Sequence, residues 1–407
     1  MSGLRILQIA HDHPDWTRGG TEILAHGLTR ALDDRPGVSA RFLAASTALQ
    51  RPEGMPGALG VQGRDLTLHT GAYDRFGMTR LDGTGWLAAL GVVVARLRPE
   101  VIHLHGLDRI GAESVLALRR LAPRARVVLT LHDYQLICAN DGLTLGRDGA
   151  RCACAHGGAC MPELGAARHA LRRAHLLALL ENVDAFLAPS RFLRDRFVEW
   201  GIAAERIALL PNAVAPTPRA PERPRARRDR FAFFGNIAAH KGVLVLLEAA
   251  ALLREAGAEL SLALHGGLTH PEPAFAEAFA AGLAAARPLA RHLGAYAPAE
   301  VGRRMAEADW IVLPSVWPEN APLVALEARA AGRPVICSDI GGLPELVPDG
   351  IHVPPGDAAA LAETMSVAAA DPGLWARCAP AAPSDDYPAF VDAHLALYRR
   401  LLQRVAA

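Results

Sequence analysis

Short apolar runs that end in polar or turn residues alternate along the chain with stretches whose apolar positions recur at helical spacing. The runs Leu4 to Ala10, Arg41 to Ala45, Val101 to Leu104, Val127 to Leu131, Ala185 to Ala188 and Ile207 to Leu210 read as strands. Strands separated by helical patterns are the βαβ rhythm of a parallel, doubly wound sheet. Between Pro216 and Arg230 the text becomes PTPRAPERPRARRDR, whose prolines and arginines favour a solvated linker over a core element. The rhythm then resumes with Phe231 to Phe234, Leu260 to Leu264, Trp310 to Leu313 and Val335 to Cys337. Residues from Pro388 to Arg404 carry Val391, Leu395, Tyr398 and Leu402 at helical spacing and read as a last helix. The predicted organisation is therefore an α/β domain over 1–215, a linker over 216–230, a second α/β domain over 231–385 and a terminal helix in 386–407.

Composition agrees with two globular cores: 407 residues, 51% hydrophobic and 21% charged. The formal net charge of +1 supplies no basic surface of the kind a nucleic-acid protein needs, so no nucleic-acid partner is expected. The opening MSGLRILQIA has no basic n-region, long apolar h-region or small-residue cleavage site, and no apolar run is long enough to span a bilayer. A cytoplasmic location is expected.

Open α/β sheets bind ligands at the carboxyl ends of their strands, so residues just after each run come first. In WIVLPSVWPENAPLVALEARAAGRPVICSD, Pro322 stands in the first turn of a helix that Gly332 and Pro334 stop. Glu319 precedes that helix and Glu327 lies inside it. Amides at a helix start suit phosphate and sugar oxygens, and carboxylates beside them can accept from paired hydroxyls. Glycoside hydrolysis is the other use for two carboxylates, but it places them roughly 5–9.5 Å apart across one bond. Eight residues at about 1.5 Å each give a separation on the order of 12 Å along one segment, so binding fits better. An acidic start to an ordinary surface helix is the structural alternative. In RFAFFGNIAAHKGV, Gly235 ends a strand and Lys241 precedes a helix over Val243 to Leu253. That lysine either meets a diphosphate as a point charge or stands in solvent. The pair Gly341-Gly342 with Glu345 is common loop punctuation when taken alone.

Taken together, Gly235 with Lys241-Gly242, Glu319 and Glu327 with seven residues between them, and Gly341-Gly342 with Glu345 resemble the retaining glycosyltransferases of family 4. These have GT-B architecture: two Rossmann-like doubly wound parallel-sheet domains facing a cleft. Gly19-Gly20-Thr21-Glu22 and His132-Asp133-Tyr134 extend the resemblance to the first domain. It implies a nucleoside-diphosphate sugar as donor, UDP- or GDP-linked, and no catalytic metal. Lys241 would hold the diphosphate, Glu319 the hydroxyls of the transferred sugar and Glu327 the ribose. Amides of Ala321, Pro322 and Leu323 would support sugar and phosphates, and Gly19 and Gly20 would let a first-domain loop approach the diphosphate, with Thr21 capping the next helix. His132 would stand at the reaction centre, oriented by Asp133 and Tyr134, and the donor phosphate would take the acceptor's proton. The terminal helix would pack back on the first domain. The chain departs from the family at Asn236, where arginine is frequent, which shifts diphosphate charge onto Lys241, and in a shortened PDGIHVPPGD run. The implied role is sugar transfer to a glycan, lipid-linked saccharide or small molecule in bacterial surface-polysaccharide assembly. A catalytically silent nucleotide-sugar or glycan-binding scaffold on the same fold is the alternative.

Three further signals remain. His103 reads as core and His105 as an acceptor-side candidate. Cys138, Cys152, Cys154 and Cys160 can form a closed structural zinc site, although their spacing lacks paired C-x-x-C units. Arg168, His169, Arg172, Arg173 and His175 interleave with leucines. That pattern fits either a solvated domain helix or a basic face for peripheral contact with the inner side of the cytoplasmic membrane, where lipid-linked acceptors would lie.

Overall fold

The computed structural model describes residues 3–17, 19–46, 57–81, 83–140, 142, 152, 161–215, 226–268, 271–380 and 386–403. The chain divides into two compact units, one of residues 1–212 with 388–407 and one of residues 213–387.

The first unit contains β1 (Leu4–Ala10), β2 (Val38–Ser46), β3 (Leu59–Gln62), β4 (Asp65–His69), β5 (Tyr73–Asp74), β6 (Thr79–Arg80), β7 (Val101–His105), β8 (Arg126–Thr130), β9 (Ala185–Ala188) and β10 (Ile207–Leu209). Eight of them form one sheet in the order β10-β9-β8-β7-β1-β2-β4-β3, parallel except for the β3–β4 pair. β1, β7 and β8 are almost wholly buried, as expected for strands covered by helices on both faces. The helix Asp386–Gln403 belongs to this unit through the buried Phe390, Val391, Tyr398 and Leu401.

The second unit holds β11 (Arg230–Phe234), β12 (Ser261–His265), β13 (Ala290–His292), β14 (Trp310–Leu313), β15 (Val335–Ser338) and β16 (Ile351–Val353), all parallel, in the order β13-β12-β11-β14-β15-β16. One face packs Phe231, Phe233, Trp310 and Val312 against Leu246, Leu247 and Met365. The other packs Phe234, Ile311 and Val335 against Ala325, Ala328 and Met305. Strand order reverses between β1 and β7 in the first unit and between β11 and β14 in the second. These are the switch points where loops diverge and leave a crevice.

The strands that the pattern misses are β3, β4, β13 and β16 of the two large sheets and the two-residue pair β5–β6. The first four lie at or next to the sheet edges; β3, β13 and β16 are short and partly exposed, and the buried β4 reads DLTLH, so none shows a continuous apolar signal. The expected solvated linker also ends too late. Arg228 is buried and Arg230 opens β11, because both serve Asp309, which is fully buried at the start of β14. Arg230 gives Asp309 two side-chain bonds, 3.1 and 3.0 Å, and its backbone N–H a third at 3.0 Å. Arg228 lies 3.6 Å from the same carboxylate and stacks on Trp375, whose indole N–H donates to the Asp309 carbonyl at 2.8 Å. Residues 216–225 lie outside the described part. Removing one side of a buried ion pair strands the other, so Asp309→Ala is expected to destabilise the second unit by about 3–5 kcal/mol, measured by urea unfolding. A loss below about 1 kcal/mol would show that the arginines carry no more than a surface pair does.

Candidate functional site

In the second unit, β11 ends at Phe234 and the chain passes through Gly235 and Asn236 into a short turn, Ala239–Lys241, before the helix Val243–Glu255. Gly242 joins turn to helix at φ +71, and a Cβ there would lie 1.8 Å from the Pro314 carbonyl oxygen. Only glycine lets the Lys241 turn press against the segment that leaves β14. That segment carries Ser315 and Glu319, so the two sides of the switch point meet. Lys241 Nζ lies 2.6 Å from Glu319 Oε1, and the Ser315 hydroxyl donates to the same oxygen at 2.7 Å. Glu319 is 4% exposed. Gly235, Lys241, Ser315, Glu319 and Pro322 line one cavity over a floor that includes Phe234. Lys241 is the basic residue among the described residues lining it, in keeping with the neutral Asn236.

The glycine pair proves specific. Gly341 sits at φ +66, and a Cβ on it would stand 2.3 Å from the Glu319 carbonyl oxygen, while the Gly342 N–H donates to that oxygen at 2.6 Å. The turn after β15 thus braces the backbone of Glu319. The helix that follows runs Leu323–Ala330 with Pro322 as its extended N-cap. Two expectations change here. Pro322 lies before the first turn, not in it. Having no N–H, it also offers no donor, which leaves the amides of Ala321 and Leu323. Glu327 lies within the helix, and burial pushes its carboxyl up to about 7. Burial and the neighbouring Glu327 also raise the Tyr296 phenol.

In the first unit, Gly19 caps the helix Gly20–Asp33 without a side-chain bond, so Thr21 is a residue of the first turn and not the cap. The reason is spatial: a Cβ on Gly19 would lie 2.3 Å from the Glu22 carboxylate, which folds back over the cap. Glu22 pairs with His11 at 3.0 Å. Burial alone would lower the His11 pKa, but Glu22 outweighs it and raises His11 to about 9. Glu22 is held below the usual carboxylate range, because His11 outweighs the effect of its burial.

His132 lies just beyond β8. Its Nε2 is 3.1 Å from His105 Nδ1, with the two rings 21° from parallel. Burial drives His132 down to about 3, and it carries His103 and His105 well below the ordinary imidazole value, so these rings are neutral at pH 7. Asp133 does not supply the bond to His132. Its Oδ1 accepts from the Gln135 N–H at 2.8 Å and turns the chain. Nor can His105 meet an acceptor directly, since it is 0% exposed and lies inside β7. Sequence reading missed Gln8, which the β1–β7 pairing sets opposite His103 and whose side chain reaches His105 Nε2 at 2.7 Å.

The helix Ala166–Leu180 buries His169 and Arg172. Arg172 donates to the carbonyls of Leu136 at 2.6 Å and Gln135 at 2.7 Å, and so clamps the chain beyond His132. Arg173 donates to the Trp200 carbonyl at 2.6 Å. Three of the five basic positions considered for a membrane face are therefore engaged inward. Arg168, Leu171 and His175 remain exposed. No helix among the described residues is long and apolar enough to cross a membrane.

Of the cysteine cluster, Cys138 is buried and Cys152 is partly exposed, while Cys154 and Cys160 lie outside the described residues. Among the described residues, His13, His26 and Asp65 form a group close enough to bind a metal. Arg30 already occupies that position: its guanidinium is 2.5 Å from Asp65 Oδ2, and His13 and His26 reach the same oxygen at 3.2 and 3.0 Å. Burial would raise Asp65, but these partners together hold it below its ordinary value, as in a closed ion-pair cluster.

Residues 19–213 match the model of the glycosyl transferase 4-like domain, and residues 228–371 that of the glycosyl transferases group 1. Glycogen synthase of Mycobacterium tuberculosis is 26% identical over 399 residues, covering 93% of this chain and 89% of that protein. Among solved structures, sucrose-phosphate synthase from Thermosynechococcus elongatus superposes with TM-score 0.70 at 21% identity, covering 98% of this chain and all of that one. Anabaena HepE in complex with UDP-glucose superposes with TM-score 0.67 at 16% identity over 99% of both chains. Two successive domain matches spanning both Rossmann-like units identify the chain as a glycosyltransferase of GT-B architecture.

Proposed function

We propose that the protein transfers a sugar, with retention of configuration, from a nucleoside diphosphate to a glycan, lipid-linked saccharide or small-molecule acceptor in bacterial surface-polysaccharide assembly. The observation that carries the donor site is the meeting of Lys241 and Glu319, 78 residues apart, at the switch point of the second sheet. A donor diphosphate draws on Lys241, which frees Glu319 to accept from sugar hydroxyls. Glu327 accepts from the ribose, and the amides of Ala321 and Leu323 face the sugar and phosphates. Gly19 and Gly20 serve the diphosphate from the first unit, and His132 hydrogen-bonds the transferred sugar. The donor phosphate takes the acceptor's proton, so no protein nucleophile and no catalytic metal is invoked. The location is cytoplasmic, with exposed Arg168, Leu171 and His175 as the remaining points for peripheral membrane contact. Cys138, Cys152, Cys154 and Cys160 hold a structural zinc that closes the loop after His132.

Calorimetric titration with UDP-glucose and GDP-mannose, followed by mass spectrometry of products, tests this reading. Loss of binding in Lys241→Ala and Glu327→Ala supports it. Binding without turnover by any acceptor points to the silent scaffold. Glu327 adds a pH signature. Its folded-state pKa of about 7 makes it a neutral acid below that pH, where it loses acceptor capacity. UDP-glucose affinity is therefore expected to fall as pH drops from 8 to 6, and Glu327→Gln to flatten that slope. A wild-type slope that survives in Glu327→Gln assigns it elsewhere. Gly341→Ala is expected to weaken UDP-glucose binding about tenfold by displacing Glu319, whereas Gly356→Ala, also at positive φ but with open space around it, leaves affinity unchanged. Equal effects would mean that backbone strain, not contact with Glu319, matters. Elemental analysis of protein purified without added metal is expected to give about one zinc per chain, lost in Cys138→Ser.

A further inference from the structure

In the first unit the helix Glu113–Leu121 packs against both Gly83–Leu97 and Ala166–Leu180, so the three form one layer. The first contact is close at Gly91, where a Cβ would lie 3.4 Å from Leu121 Cδ2. Helix Gly83–Leu97 buries Trp86, Leu90, Val93 and Val94, and an ordinary surface helix would then be polar on its other side. Here the exposed positions are Thr84, Ala88, Val92, Ala95 and Arg96. Val92 is 58% exposed and Leu121, against the neighbouring Gly91, 41%. Leu81, just ahead of this helix, and Leu171, on Ala166–Leu180, are exposed as well. Most of the large apolar side chains exposed among the described residues of the first unit therefore belong to this layer.

The charged groups between them are of one sign. Arg96, Arg98, Arg120 and Arg124 are exposed, and among the described residues none of the four guanidiniums has an ion-pair or hydrogen-bond partner. No Asp or Glu occurs in 83–99, 114–125 or 164–180 of a chain that holds 42. Carboxylates at the margins are engaged elsewhere: Glu100 lies 3.5 Å from Arg5, Glu113 3.1 Å from Arg80 and Glu181 3.0 Å from Arg206. The next helix, Arg191–Trp200, shows the ordinary arrangement, with Arg194 paired to Asp195 at 3.4 Å and Arg196 to Glu199. A second copy of the chain docking by the same face would set arginine against arginine. An anionic bilayer matches the face without a shaped pocket, because it offers phosphates at every position and acyl chains beneath them.

We propose that the helices Gly83–Leu97 and Glu113–Leu121 form the surface by which the first unit lies on an anionic bilayer. Val92 and Leu121 enter among the acyl chains, and Arg96, Arg98, Arg120 and Arg124 meet lipid phosphates. This rests on the peripheral membrane contact proposed above and moves its centre from Ala166–Leu180 to the two adjoining helices. Attachment by a few groups of this kind is reversible, and it holds the enzyme at the surface where a lipid-linked acceptor would lie.

The test sediments the full-length protein with phosphatidylcholine vesicles made with and without phosphatidylglycerol. The wild type is expected to bind only the anionic vesicles and to be released by high salt. Leu121→Ser combined with Arg124→Gln is expected to lower the partition coefficient about tenfold. The chemically matched pair on the third helix, Arg168→Gln with Leu171→Ser, is expected to lower it less. All four side chains are exposed, so unchanged melting temperatures are expected. If the first pair melts early, Val92→Ser with Arg96→Gln takes its place, with the same loss expected. Binding that survives both the Leu121 and Val92 pairs, or that falls further in the Arg168 pair, would overturn the inference and leave the membrane contact on Ala166–Leu180. A wild type that binds neither vesicle would overturn that contact and the inference together. Polyglutamate binding as tight as that to anionic vesicles, and indifferent to Leu121→Ser, would point to an acidic protein partner and overturn the bilayer. So would a dimer in analytical ultracentrifugation that the Leu121 pair dissociates, which would give the face to a second copy.

Discussion

The 2.6 Å pair between Lys241 and Glu319 is the contact around which the second unit's site is organised. A carboxylate only 4% exposed must be matched by charge and hydrogen bonds, and Lys241 with Ser315 supplies both on one oxygen. Two glycines make that match possible. Gly242 lets the lysine turn reach the segment after β14, and Gly341 lets the next turn support the Glu319 backbone. Three loops from β11, β14 and β15 are thereby tied at one point. In the donor role proposed for it, Lys241 would meet a diphosphate with its long side chain already ordered.

The first unit solves a related problem with neutral groups. Its switch point carries histidines on neighbouring segments, and burial keeps His103, His105 and His132 uncharged. Neutral imidazoles can form a donor-to-acceptor line where imidazoliums would repel one another. Beside them Glu22, in the helix Gly20–Asp33, stabilises the His11 imidazolium, and Asp12 receives Arg109 from the segment after β7 at 2.5 Å. The same switch point therefore carries ion pairs and a neutral hydrogen-bonded network side by side, each joining the β1 and β7 segments.

Buried arginines perform a further structural service. Arg172 gathers carbonyls from the chain just beyond His132, and Arg228 with Arg230 neutralises Asp309 beneath the second sheet. In sequence these residues look solvated, because a guanidinium in a polar stretch is ordinarily on the surface. Burial of Arg172 follows from three-dimensional demand for donors where a turn leaves carbonyls unmatched.

The βαβ rhythm, the central strands, the terminal helix and the positions of Lys241, Glu319, Glu327 and His132 were legible in the sequence. Central parallel strands are continuous apolar runs, and the candidate residues lie in the loops or helix that follow them, so local pattern is enough to place them in the chain. Tertiary structure alone decided the rest. It paired Lys241 with Glu319 across 78 residues, gave the glycine pair its task, and put Pro322 before its helix. It withdrew His105 from the surface and turned His169, Arg172 and Arg173 inward. It also joined Gln8 and Tyr398, 390 residues apart, in one hydrogen-bonded line. These outcomes depend on which strands become neighbours and which polar groups lose water, and neither is a property of any local stretch of sequence.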